Sequence, residues 1–328
     1  MKITVVGGGS WATAIVKILS EKNLKIKWWL RNKQTVEHIK KHHHNPQYLS
    51  SIELHPSRVK PYYNLKEALK NTDWVVLAVP AAFLKDALKG LTPEHFEGKK
   101  IISAIKGMET ESRQLISDWM EQQYKIPISR QGIIAGPCHA EEVAQEKQSY
   151  LTIGSSNPEL AKEFAEAMTC RFVNCSVSPD LHGIEYAAVM KNIIAIASGI
   201  AHGMGAGDNF QAVLVSNAMQ EIKRFVQILS PGERDMSGSA YLGDLLVTSY
   251  SQFSRNRTFG NMLGRGYSVA NAQLEMKMIA EGYYAVTAIH GLAEKHEISL
   301  PITSFVYAIV YKKMPPKKAF QILKSQLT

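Results

Sequence analysis

The sequence predicts an α/β fold, with a doubly wound parallel sheet over residues 1–178 and an all-helical domain over residues 179–328. Three observations carry that prediction. A short apolar strand runs into a glycine turn and a helix at the start of the chain, and strand and helix patterns alternate after it. Beyond Ser178-Pro179-Asp180 the strand patterns stop and long helical ones take over. With 328 residues, 45% of them hydrophobic and 20% charged, the chain has the length for two domains and the apolar content for large cores.

Residues 2–6 read as a buried first strand leading into Gly7-Gly8-Gly9-Ser10-Trp11-Ala12, a G-x-G-x-x-A turn that opens a helix over 12–20. Gly7 permits the tight turn, Gly9 lets backbone approach a pyrophosphate, and Ala12 is small enough for close helix-to-strand packing. The helix then presents unpaired N–H groups to the phosphates of a dinucleotide. A second strand over 25–30 ends at Arg31-Asn32, where an NAD site usually carries a carboxylate for the ribose hydroxyls. Arg31 suits a 2′-phosphate or adenine stacking, and reads equally well as a solvated arginine. The tract Lys40-Lys41-His42-His43-His44 has metal-ligand composition but reads as a solvated basic loop before the turn at Asn45-Pro46.

A helix over 65–70, a strand over 74–79, a helix over 83–89 and strands over 100–104 and 132–135 continue the alternation. Ligands gather at the carboxyl ends of such strands. Two of those ends carry polar chemistry: Lys106, and the run Gly136-Pro137-Cys138-His139-Ala140. Lys106 reads as a point charge for a phosphate or as a loop lysine. Cys138 and His139 have no visible orienting third group, which argues against a thiol nucleophile. Strands near 151–154 and 171–174 finish the domain. The cysteines, Cys138, Cys170 and Cys175, are odd in number and lack a Cys-x-x-Cys pair, so neither a disulfide framework nor a zinc site is expected.

The second domain opens on a helix with Lys191 in its middle, flanked at helical spacing by Ala187, Ala188, Ile194 and Ala195. A lysine on that apolar stripe either snorkels to water or sits desolvated, with a lowered pKa suited to proton transfer. The next helix runs to about residue 229, and Asp208 with Gln211 has the spacing of a capping box at its start. Asp244 ends a loop, as a helix cap or as the partner of Lys191. Ser254-Arg255-Asn256 offers a guanidinium fork with hydroxyl and amide donors, suited to a phosphate dianion.

The net charge of +9 favours anionic ligands. No arginine-rich tract or aromatic-interleaved motif points to nucleic acid. No apolar run is read as membrane-spanning, and the start lacks a signal peptide, so a cytoplasmic protein with reduced thiols and no stable membrane insertion is expected.

Taken in order, GGGSWATA, WWLRN, NPQYL, LAVP, IKGME, AGPCHAEEVA, KNIIAIASGIAHG, GDN, LGDLLVT, SRNRTFG and AEG resemble the NAD(P)-dependent glycerol-3-phosphate dehydrogenases of bacteria over nearly the whole chain. The resemblance implies a Rossmann-like first domain and an all-helical, 6-phosphogluconate dehydrogenase C-terminal-like second one. It implies reduction of dihydroxyacetone phosphate to sn-glycerol 3-phosphate with NADH or NADPH, feeding glycerophospholipid synthesis, in a homodimer. Lys191 matches the proton donor and acceptor, with Asp244 beside it. Lys106 matches a contact to substrate and cofactor; Gly136, Cys138, Asp244, Ser254, Arg255 and Asn256 match substrate positions. Asn192, beside the lysine, is expected to orient substrate. Ser10, Trp11, Arg31, Ala140, Arg255, Ile279 and Glu281 match cofactor contacts, beside Gly7, Gly9 and Ala12 of the turn. Departures are Ala12 for the usual third glycine, Cys138 where serine is common, and the loop SGSAYLGDL before Asp244. Two other readings remain: a β-hydroxyacid or 6-phosphogluconate-type dehydrogenase, against which the SRN match argues, and a non-catalytic dinucleotide sensor, against which Lys191 and Asp244 argue.

Overall fold

The computed structural model describes residues 1–276 and 280–328. They form two compact units: Met1–Ile105 with Gln114–Leu181, and Lys106–Arg113 with His182–Thr328.

The first unit is an eight-stranded sheet of β1 (Lys2–Val6), β2 (Lys25–Trp29), β3 (Val59–Tyr62), β4 (Trp74–Leu77), β5 (Lys100–Ser103), β6 (Gln131–Ala135), β7 (Ser149–Gly154) and β8 (Val173–Ser178). Their spatial order is β3-β2-β1-β4-β5-β6-β7-β8. All neighbours are parallel except β6 and β7. Helices α1 (Ser10–Glu21), α2 (Lys33–His42), α3 (Leu65–Leu69), α4 (Leu84–Ala87), α5 (Ile116–Tyr124), α6 (Ala140–Ala144) and α7 (Pro158–Met168) connect them. Strand alternation builds a core on each face. Val5, Trp28, Val76 and Ile102 enter one cluster with α1 and α7; Val6, Trp29, Val75, Leu77 and Ile101 enter the other with α3 and α5. Each fully buried aliphatic side chain contributes roughly 1.5–3 kcal/mol to holding these layers together.

The strand β3 escaped the sequence reading because Pro61 interrupts its pattern, and proline is tolerated there at the sheet edge. The last strand lies at 173–178 rather than 171–174. The tract around His42 is the end of α2, with His43 closing it in a left-handed conformation.

The second unit contains α8 (Leu181–Gly203), α9 (Asp208–Leu229), α10 (Asp244–Tyr250), α11 (Arg255–Gly264), α12 (Val269–Glu275), α13 (Glu281–Lys295), α14 (Pro301–Val310) and α15 (Pro316–Lys324). By length and composition α8 could cross a membrane, contrary to the sequence reading; its apolar window is wholly buried in this structure. The backbones of α8 and α11 touch through glycines. A Cβ on Gly199 or Gly203 would meet the carbonyl oxygens of Arg257 and Asn261 at 2.1 and 2.3 Å. From the other side, Gly260 and Gly264 lie as close to the carbonyls of Ile196 and Ile200, at 2.0 and 2.2 Å.

Asp208 does not make the expected capping box. The cap of α9 is Gly207, without a side-chain hydrogen bond. Gln211 is buried instead, accepting from Ser198 Oγ at 2.8 Å and donating to the Ser198 carbonyl at 3.0 Å. Deeper in α9, the Glu221 carboxylate accepts from the N–H groups of Ile302 and Thr303 at the start of α14.

Candidate functional site

The glycine turn leaves open space at the start of α1. Gly7 adopts φ +135°, and a Cβ there would meet the Ala78 carbonyl at 2.4 Å, so the turn is locked against the end of β4. Gly9, the residue that caps α1, is different: nothing lies within 4 Å of a Cβ placed on it. Its smallness therefore serves no contact among the described residues. No side chain caps α1, and its first turn carries no acidic residue, as an anion site requires. Ser10 and Trp11 open the helix half-buried, and Ala12 is buried beneath it. These residues fit the pyrophosphate of a dinucleotide. Past the end of β2, the exposed Arg31 guanidinium lies 5.9 Å from the ring of Phe83, which follows β4. β2 and β4 are the two neighbours of β1, so this cation and ring flank the glycine turn.

After β6, Gly136 takes φ +115°, and a Cβ there would approach the Tyr150 carbonyl to 2.8 Å. Cys138 is buried and forms no disulfide, and buried Ala140 starts α6. These three residues belong to the first unit with the glycine turn and Arg31.

The chemistry of the second unit centres on Asp244. Lys191 is only 4% exposed and Asp244 1%, so the snorkelling reading of the lysine does not hold. Lys191 Nζ donates to Asp244 Oδ1. Lys106 Nζ stands 3.8 Å from the other carboxylate oxygen, Oδ2. Asp244 lies in the first turn of α10, continuous with a helical turn over Ser239–Gly243, so its side chain is turned to the lysines rather than used as a cap. Burial lowers the Lys191 pKa from 10.5 to about 7; Asp244 pulls it back up and Lys106 pushes it further down. An amine so placed gains and loses a proton near neutral pH, beside a second cation that attracts anions.

A chain of amides supports this cluster. Asn192 Nδ2 donates to the Lys106 carbonyl at 2.8 Å, Asn256 Nδ2 donates to Asn192 Oδ1 at 3.0 Å, and the Gly282 N–H donates to Asn256 Oδ1 at 2.9 Å. Backbone groups at both ends fix the direction of every bond. Buried Glu109 shapes the segment carrying Lys106 by accepting from the N–H and hydroxyl of Ser112, each at 2.7 Å. Ser254 caps α11, accepting from the Arg257 N–H at 3.3 Å. Arg255 follows it, exposed, and Asn256 is buried.

The structure thus gathers Lys106, Lys191, Asn192, Asp244 and Asn256 by direct contacts, with Ser254 and Arg255 adjoining in sequence. Glu281 is the first residue of α13, next to Gly282. Ile279 lies outside the described residues. The amide chain and the role of Glu109 were missed, because residue type does not disclose which partner a side chain meets.

Family models describing the N-terminus and the C-terminus of NAD-dependent glycerol-3-phosphate dehydrogenase match residues 2–173 and 180–321. A glycerol-3-phosphate dehydrogenase (NAD(P)+) of Clostridium botulinum is 34% identical over 322 residues, covering 98% of this chain and 96% of that protein. Its counterpart in Staphylococcus carnosus is 32% identical over 323 residues, covering 98% and 97%. Among solved structures, the glycerol-3-phosphate dehydrogenase of Coxiella burnetii superposes with a TM-score of 0.91 at 29% identity, covering 98% of each chain.

Proposed function

This chain belongs to the NAD-dependent glycerol-3-phosphate dehydrogenase family, and from that premise we infer that it reversibly reduces dihydroxyacetone phosphate to sn-glycerol 3-phosphate with NADH or NADPH. The observation that carries the inference is a buried lysine, held by Asp244 and lowered in pKa by burial, beside a second lysine.

When bound, the reduced nicotinamide supplies a hydride to the ketone carbon of the substrate. Lys191 does the complementary work: its ammonium stabilises the negative charge growing on the C2 oxygen and delivers the proton that makes it a hydroxyl. In the reverse direction the neutral amine takes that proton. Asp244 orients Lys191 and keeps its proton affinity from falling further. Lys106 supplies a fixed positive charge to substrate and cofactor. Arg255 clasps the substrate phosphate dianion as a fork, with Ser254 beside it. Asn256 has one amide hydrogen left for the phosphate after its bond to Asn192. Asn192 orients substrate mainly by holding the Lys106 backbone. In the first unit, the turn from Gly7 to Ala12 holds the pyrophosphate, Arg31 the adenosine end, and Gly136, Cys138 and Ala140 line the strand end. Glu281 and Ile279 complete the cofactor set.

The same proposal divides the work at residues 178 and 179 between cofactor and substrate domains. It places the enzyme in the cytoplasm as a homodimer, supplying glycerophospholipid synthesis, with no nucleic-acid partner and no stable membrane insertion. Light scattering on the purified chain tests the dimer.

The deciding experiment follows nicotinamide absorbance with the purified chain, dihydroxyacetone phosphate and either dinucleotide. Oxidation dependent on that ketone is expected; its absence with both cofactors overturns the reading.

A further inference from the structure

The three carbonyls of the glycine turn are each gripped by a side chain from a different element. Trp28 Nε1, on β2, donates to the Gly7 carbonyl at 2.6 Å. Asn45 Nδ2, in the loop after α2, donates to the Gly8 carbonyl at 3.1 Å. Thr13 Oγ1, on α1, donates to the Gly9 carbonyl at 3.0 Å. Asn45 also ties the set together, because its Nδ2 donates to Thr13 Oγ1 at 2.9 Å.

Asn45 is wholly buried, and its oxygen is used as fully as its nitrogen: Oδ1 accepts from the N–H groups of Gln47 at 3.0 Å and Tyr48 at 3.3 Å. A loop amide with every hydrogen-bonding function spent in this way is held against the turn, not resting on it. In a trans peptide the N–H points away from the carbonyl of the same unit. Gripping the carbonyls of Gly7, Gly8 and Gly9 therefore turns the N–H groups of Gly8, Gly9 and Ser10 away from the gripping side chains. None of those three N–H groups meets a protein acceptor among the described residues. Three successive N–H groups without a protein acceptor at a helix start, beside the open space at Gly9, are donors left for an anion.

We propose that Asn45, acting with Thr13 and Trp28, is a positioning residue for the dinucleotide: it sets the direction of the phosphate-binding N–H groups without touching the ligand. The inference rests on the dinucleotide-binding reading above. It gives the loop after α2 a role in cofactor affinity, although that loop carries none of the residues expected to contact the cofactor.

Two substitutions at Asn45 separate positioning from plain stability. Asn45→Asp keeps the acceptor for Gln47 and Tyr48 but loses both donors and sets a carboxylate against the Gly8 carbonyl. Asn45→Ala loses all four bonds without adding charge. Binding is read by NADH fluorescence on the substrate-free chain, beside a thermal melt of each variant. Both variants should weaken NADH about tenfold or more, the equilibrium worth of roughly one hydrogen bond. The kcat and KM for dihydroxyacetone phosphate at saturating NADH should stay within about twofold. Trp28→Phe, which deletes a single donor from the same clamp and leaves a smaller aromatic ring in its place, serves if the Asn45 variants fold poorly, and should weaken NADH severalfold. Variants that melt earlier yet bind NADH as the parent does overturn the proposal. A parent chain that binds no NADH overturns the dinucleotide reading itself, a result distinct from equal binding by parent and variants.

Discussion

At the scale of single residues, the sequence of α8 taken alone favoured an ordinary lysine reaching for water, and the structure shows why that failed. The whole length of the Lys191 side chain is enclosed, and its ammonium ends on a carboxylate that lies 53 positions away in sequence. Periodicity sees neighbours three and four residues apart and cannot see Asp244; the ordered set of motifs could. Lys191→Ala should lower turnover by a factor on the order of 10²–10⁴, the usual worth of a proton-transfer group, while NADH still binds. Near-normal turnover would remove Lys191 from its role. The pH dependence follows from the directions of the pKa contributions. Reduction needs the ammonium, so its rate should fall as pH rises through about 7, and the reverse oxidation should gain over the same range. Asp244 raises the Lys191 pKa, so Asp244→Asn should move the reductive limb to lower pH. A move to higher pH in the rate profile would contradict the assigned pairing.

Among the elements, α8 and α11 pair by backbone rather than by interlocking side chains. Gly199 and Gly203 on one helix and Gly260 and Gly264 on the other share a four-residue spacing, visible in the sequence as glycines that a helix interior would otherwise penalise. The spacing was legible, but which two helices it joins was not. Gly260→Ala would drive a methyl carbon into the Ile196 carbonyl, and should cost about 1–3 kcal/mol or more. A thermal melt of that variant matching the parent would show that the helices can part cheaply. The sheet divides in the same way. β1, β2, β4 and β5 were readable from their apolar runs, whereas β3, with Pro61, and the reversed pairing of β6 with β7 depend on neighbours no local pattern names.

For the molecule as a whole, buried ionisable groups make stability depend on pH. Burial pushes the Glu221 carboxyl from 4.5 up to about 7, against the opposing pull of the Ile302 and Thr303 N–H groups. A carboxyl raised on folding adds stability that is fully present below pH 4.5 and is lost as pH rises through about 7. Glu221→Gln removes that slope. Relative to the parent, the variant should gain on the order of 3 kcal/mol between about pH 5 and about pH 8 in urea melts. Parallel profiles would show that the group titrates normally. The order of sheet domain and helical domain was open to sequence reading because the change of pattern near residue 179 is abrupt. The excursion of Lys106–Arg113 into the second unit was not, since that segment sits between β5 and α5 with no change of composition. That excursion means the two halves are not interchangeable cassettes. The chain passes from one unit to the other after Ile105, returns after Arg113 and passes again after Leu181. A chimera cut at 178 and carrying a foreign first half would inherit its partner for Asp244 Oδ2 from the donor. Recombination between relatives must therefore keep an eight-residue loop and a distant carboxylate matched, or Asp244 keeps Lys191 and loses the second cation beside it.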